Sequence, residues 1–257
     1  MLAALLFAQA AAAPALPPLS AAAAQLETCM DKARADPANA IAEASNWAAS
    51  VSTEDASYPQ QCLGMAYTYM LRWDAAERAF LVAREAAPAA ARVRRAQLAA
   101  MAGNAALADN RGAAALAALE LARMDAEAAG DPALQAIVEV DRARALVLQG
   151  EAAGAEAALA SARTLDAQNA FAWLLSATLS RRLDKLDEAQ AQIATAATLA
   201  PDYPEIGLEA GVIAVLRGDE DAARRSWQSV LDLEPDGETA TIARGYLAQL
   251  AEPAPAP

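Results

Sequence analysis

Histidine is missing from all 257 residues, and with it go the commonest general base, the commonest metal ligand and the usual physiological-pH switch. Serine-histidine triads and zincin sites are thereby excluded. Aromatic residues amount to 5% although hydrophobic residues reach 56%, so a core has to be built mostly from alanine and leucine. Alanine is the best helix former and poor in strands, and the β-branched and aromatic residues that favour sheets are scarce. The expectation is an all-α fold. Positive charge is short as well: the net charge is −13, the wrong sign for gripping phosphate backbones or anionic lipid. Nucleic acid is not an expected partner. The two cysteines, Cys29 and Cys62, cannot make a four-ligand zinc site and are not in a C-x-x-C spacing. One disulfide or two free thiols remain. No G-x-S-x-G, G-x-G-x-x-G or P-loop sequence is present, so neither an enzyme nor a cofactor is implied.

Long apolar runs are lacking too. Leu2 to Ala8 is too short to span a bilayer, so no stable membrane span is expected, and Ala8-Gln9-Ala10 fits the A-x-A cleavage pattern. Residues 1–20 therefore read as a leader with a signal peptide over about residues 1–10, which directs the chain to the periplasm or otherwise exports it. The leader carries no Lys or Arg before its apolar run; the alternative is an Ala/Pro leader on a cytoplasmic protein.

What is present is a period. From Ser57 the chain reads SYPQQCLGMAYTYMLRWDAAERAFLVAREAAPAA, with Leu63-Gly64, Tyr67, Ala76, Phe80 and Pro88 at fixed offsets. The same template recurs from Ala136, Ala170 and Pro204, each start 34 residues after the last. Its eighth place holds Ala143, Ala177 and Gly211; its twentieth, Ala155, Ala189 and Ala223; its twenty-fourth, Leu159, Ile193 and Trp227. Small residues at the eighth and twentieth places let two antiparallel helices approach closely, and the bulky twenty-fourth fills the gap toward the next repeat.

This pattern resembles the tetratricopeptide repeat (TPR), exported bacterial type. The resemblance implies a right-handed superhelical solenoid of antiparallel helix pairs whose first helices line a concave groove for a protein or peptide. It lays out the chain as an N-terminal helical pair over 21–56 and a solenoid over 57–237. The solenoid divides into repeats 57–90, 136–169, 170–203 and 204–237, with a degenerate segment 91–135 that has lengthened helices around Asn110-Arg111-Gly112. A capping helix over 238–250 and a Pro/Ala tail over 251–257 complete it. Asp36 is the expected N-cap of a helix opening at Pro37.

In such repeats the second, fifth, ninth and twelfth places face the groove. Here they are Tyr58, Gln61, Met65 and Thr68; Ile137, Val140, Arg144 and Val147; Phe171, Leu174, Thr178 and Arg181; and Glu205, Leu208, Val212 and Val215. The family's carboxylate clamp is missing from Gln61, Met65, Val140, Arg144, Leu174 and Thr178. Most of the stripe is apolar, so the expected occupant is an apolar or amphipathic segment, with Arg144 and Arg181 meeting an acidic group on it. The rival expectation is that these side chains pack on the chain itself. Self-association, with the groove taking another copy, is the alternative role, and a histidine-free enzyme the remote one.

Counted in the same register, Cys29 takes the seventh place of a preceding repeat and Cys62 the sixth of its own. Adjacent first helices then hold them at similar height, and a Cys29–Cys62 disulfide is expected, with two buried thiols as the other outcome. The acidic runs Asp184 to Glu188 and Gly218 to Asp221 fall before second helices, where carboxylates favour helix starts. The pairs Arg94-Arg95, Arg181-Arg182 and Arg224-Arg225 read as solvated faces.

Overall fold

The computed structural model describes residues 20–251; the proposed signal peptide and most of the Pro/Ala tail lie outside the described residues. Thirteen α-helices and one 3-10 turn make up the described chain, with no strand among them. The helices pair in sequence order: α1 (Ala21–Ala35) with α2 (Pro37–Ser50), α3 (Ser57–Tyr69) with α4 (Trp73–Ala86), and α5 (Arg92–Ala108) with α6 (Gly112–Ala129). Next come α7 (Pro132–Leu148) with α8 (Ala152–Leu165), α9 (Ala170–Arg182) with α10 (Leu186–Leu199), and α11 (Pro204–Leu216) with α12 (Glu220–Leu233), closed by α13 (Glu238–Ala251). First helices stack on first helices at α1–α3, α5–α7, α9–α11 and α11–α13. The result is a helical solenoid of the tetratricopeptide kind.

The small-and-bulky rule is visible in the packing. Ala76, Ala155, Ala189 and Ala223 have no exposed surface. A Cβ added at Gly64 would lie 2.5 Å from the Phe80 ring, and one at Gly211 2.2 Å from Trp227. In each case the missing side chain is the space the aromatic occupies, so the eighth and twenty-fourth places are one fitted pair.

The turns between paired helices repeat as closely. Leu71, Asn110, Gly150, Asp184 and Gly218 all have left-handed backbone, with φ of 56°, 55°, 75°, 59° and 82°. The amide that follows each of them donates back to a carbonyl in the last turn of the first helix, Arg72 to Tyr67, Arg111 to Ala106, Glu151 to Leu146, Lys185 to Ser180 and Asp219 to Ala214, each at 2.9 Å. This six-to-one bond satisfies a carbonyl that the helix end would otherwise orphan. Asp36, Asp131, Asn169 and Asp219 cap helix starts by accepting from the amide three residues on.

The degenerate segment holds a complete repeat. Gly103 meets Leu119 as Gly64 meets Phe80, with an added Cβ 2.5 Å from Leu119. Ala96, Ala115, Leu119 and Ala122 are fully buried, which sets a 34-place register starting at Ala96. The eleven surplus residues are split, residues 91–95 before that register and 130–135 after it. They lengthen the starts of α5 and α7.

Residues 91–95 carry their own fastening. The Asp125 carboxylate, 2% exposed, accepts from Arg84 Nε at 2.8 Å and Arg92 Nη1 at 3.0 Å and has Arg95 Nε at 3.5 Å. Arg95 also donates to the carbonyls of Arg84 and Ala87 at the end of α4. Arg94 lies over the Tyr58 ring at 4.1 Å and donates to Ser57. The Arg94-Arg95 pair is therefore no solvated face: its partners lie 8 to 37 residues away in sequence, out of reach of neighbour counting.

At the N-terminal end, Cys29 of α1 and Cys62 of α3 form a disulfide with a Cα–Cα distance of 6.0 Å, inside the usual range for such bonds. Trp47 of α2 packs in the same cluster with Leu63 and Ala79. No helix among the described residues is long and apolar enough to cross a membrane.

Candidate functional site

The stripe picked out by the second, fifth, ninth and twelfth places divides in the structure. Ile137 and Phe171, at second places, are exposed by 51% and 40%. Val140 and Leu174, at fifth places, are nearly closed off: Val140 packs with Leu159 and Ala172, and Leu174 with Ile193 and Ile206. Those two are core, and the reason is their position: the fifth place faces the seam with the neighbouring helices, so packing claims it before a partner can. Tyr58 and Met65 are half-buried against the clusters under α1 and α2, and Gln61 is half-buried beside them with its carbonyl oxygen unpaired. Thr178 donates to the Leu174 carbonyl at 3.1 Å. Leu208 and Val212 are half-buried in the C-terminal cluster around Trp227.

Both arginines of the stripe are engaged within the chain. Arg181 holds Glu209 of α11 through two bonds, Nε to Oε1 at 2.6 Å and Nη2 to Oε2 at 3.2 Å. Its charge is matched by the next repeat and is not on offer. Arg144 donates to Asp141 at 2.9 Å and to Asn104 Oδ1 at 3.1 Å, while Asn104 donates to Asp141 at 2.7 Å. Burial pushes the Asp141 carboxyl up, against the opposing Asn104 hydrogen bond and Arg144 charge. Arg144 remains partly exposed, so this triad fixes a guanidinium in place without covering it.

Beside Arg144 the stacking loosens. The helices α7 and α9 touch little, and an apolar-walled cavity of about 270 Å³ opens between them. Its walls are Leu107, Ala143, Val147, Leu148, Leu159, Leu175 and Leu179, and its polar lining is Arg144, Thr178 and Arg182. The twenty-fourth place here is Leu159, of the same size as Leu119 and Ile193 in the flanking repeats and smaller than Phe80 and Trp227 in the outer ones. Sequence reasoning named Arg144, Val147 and Thr178 and read Arg182 as part of a solvated face, but missed Leu107, Leu148, Leu175 and Leu179, which belong to the degenerate repeat or to thirteenth, sixth and tenth places. An arginine beside an apolar turn at Leu183 was the available signal.

Comparison with known proteins agrees with the fold. PilW, titled a widely conserved type IV pilus biogenesis factor, superposes with a TM-score of 0.67 at 18% identity, over 88% of this chain and 99% of that one. YrrB, titled a TPR protein with an unusual peptide-binding site, gives 0.52 at 18% identity over 79% and 97%. The quorum sensor NprR from B. thuringiensis gives 0.69 at 11% identity over 89% and 69%. No family model and no curated protein matches the sequence. These likenesses establish the tetratricopeptide-like solenoid, and at such identities they establish the fold alone.

Proposed function

We propose that this chain is a non-enzymatic adaptor whose first-helix face holds an apolar or amphipathic segment of another protein. The observation that carries this reading is the part of the stripe that packing leaves open: Ile137 and Phe171 stand exposed, and further along the same two helices lies the apolar cavity with its two arginines. Contiguous exposed apolar surface rimmed by polar groups marks interaction sites. That YrrB is titled for a peptide-binding site on the same fold supports it. The Cys29–Cys62 bond supports an oxidising, exported location, the periplasm, since disulfides persist there and are rare in the cytosol.

Position-specific crosslinking in cells tests the reading. A photo-reactive residue at Phe171 or Ile137 is expected to trap one discrete partner, and the same residue at the exposed second-helix positions Ala157 or Ala194 is not. Equal trapping at all four positions would refute the groove. Adducts whose mass is a second copy of the chain would replace the adaptor with a self-associating role.

A further inference from the structure

We propose that the cavity between α7 and α9 is an anchor pocket for one bulky apolar side chain of the partner. At its mouth Arg144 and Arg182 would meet a carboxylate adjacent to that side chain, in a segment otherwise neutral or basic. This rests on the adaptor reading and sharpens it to a ligand chemistry.

Size decides the first part. The cavity, at about 270 Å³, falls below the roughly 300–1,000 Å³ of sites that enclose whole drug-sized ligands. It suits a single leucine- or phenylalanine-sized group. Its walls, five of them leucines on three first helices and α8 together with Val147, offer only dispersion and desolvation to such a group. No side chain of the described residues fills it, because α7 and α9 stand apart.

Charge decides the second part. Arg144 is held by Asn104 and Asp141 yet stays 45% exposed at the side chain. Arg182, exposed, forms no ion pair among the described residues, unlike its neighbour Arg181, which is taken by Glu209. Two guanidiniums at the rim of an apolar hole match a carboxylate beside an apolar side chain, which a guanidinium can receive with two parallel bonds. The chain as a whole carries −13, so a strongly acidic segment is disfavoured by the net charge. A single acid in a neutral or basic frame is what the field admits. A second copy, equally acidic, is disfavoured by the same argument.

The test uses end-blocked octapeptides of the frame Ser-Lys-Gly-X-Z-Gly-Lys-Ser, with X as Leu, Phe or Ala and Z as Asp or Asn, titrated into the full chain and followed by methyl NMR. The Leu-Asp and Phe-Asp peptides are expected to shift the Val147, Leu175 and Leu179 methyls saturably. Ala at X is expected to weaken binding at least tenfold and Asn at Z about three- to tenfold. Arg182→Gln, an exposed and unpaired site, should leave the thermal midpoint alone and reduce the difference between Asp and Asn. Equal binding of Asp and Asn peptides overturns the proposal, as does saturable shifting confined to methyls elsewhere, although the latter leaves the adaptor reading intact. No shift with any peptide also overturns it, and the crosslinks at Phe171 and Ile137 then decide the adaptor reading on their own. Concentration-dependent shifts of the same methyls without peptide would make the occupant a second copy and overturn it as well.

Discussion

Reducing the Cys29–Cys62 bond is expected to loosen α1 and α2 while the helices from α4 onward keep their protection. The bond spans 33 residues, and the loop-entropy relation for a loop of that length gives about 3.7 kcal/mol of stabilisation. The apolar anchorage it supplements is thin. Among the residues of α1 and α2, only Cys29 and Trp47 are buried side chains larger than alanine, and fully burying one large side chain contributes roughly 1.5–3 kcal/mol. The crosslink therefore outweighs the largest single apolar contact holding this pair. Stability in a repeat array is approximately a sum of local and nearest-neighbour contributions, so the loss should fall on the end unit. Amide exchange of oxidised against dithiothreitol-reduced protein reads it helix by helix, and thermal unfolding should move down by roughly 7–15 °C if the chain melts as one unit. Unchanged exchange in α1 and α2 after reduction would refute the reasoning. Two reactive thiols per chain in denatured, unreduced protein would remove its premise.

Other perturbations probe the remaining devices. Leu71 is 68% exposed and left-handed. Left-handed backbone costs a side-chain-bearing residue about 1–2 kcal/mol and glycine flexibility costs about 0.5–1, so Leu71→Gly should raise the urea midpoint by up to about 1 kcal/mol equivalent; a drop would show that Leu71 makes a contact of value. Gly211→Ala drives a Cβ into Trp227 and should destabilise by about 1–3 kcal/mol despite alanine's helix preference. The Trp227 emission should shift with it as the bond to the Leu208 carbonyl is disturbed, and unchanged emission with a stabilised protein would contradict the fitted pair. Asp125→Asn should cost about 3 kcal/mol, since it removes the buried counter-charge of Arg84 and Arg95, which are mostly covered, and of the partly exposed Arg92. Burial pushes the Asp125 carboxyl up, but Arg92, Arg84 and Arg95 outweigh it and hold it below the ordinary value. Its stabilisation is thus complete above the unfolded value of about 4 and lost as pH falls through the lower folded one. The wild-type acid limb should be steeper than that of Asp125→Asn, and parallel limbs would count against the clasp.

Much of the architecture was legible because its causes are local. A glycine or alanine eight places into a repeat and a bulky residue sixteen later announce one helix pressed on another, and two cysteines one residue short of a period apart announce neighbouring helices. The repeat at Ala96 was not legible as such, since five residues before it and six after it break a gapless search. Its signature of Gly103, Ala115 and Leu119 also lacks the aromatic and proline landmarks. The candidate site was half legible. Periodicity puts Val140, Leu174, Ile137 and Phe171 on one stripe, but whether a place meets solvent or the next helix depends on distances between repeats. For the same reason neither the Arg181–Glu209 pair nor the freedom of Arg182 could be read from adjacent letters.

The clasp on Asp125 has a bearing on how the whole array comes apart. It ties α4, α5 and α6 together through three arginines gathered on one buried carboxylate at the junction of two repeats, whereas α7 and α9 share little contact. Neighbour coupling is thus uneven along the chain: strong in the middle of the N-terminal half, weak at the seam beside the cavity. Such an array does not melt as identical beads. It has a natural fracture line between α8 and α9, with a cohesive block on one side and a more readily frayed C-terminal block on the other, so partial unfolding from that end would widen the gap between α7 and α9 before the clasped half is disturbed.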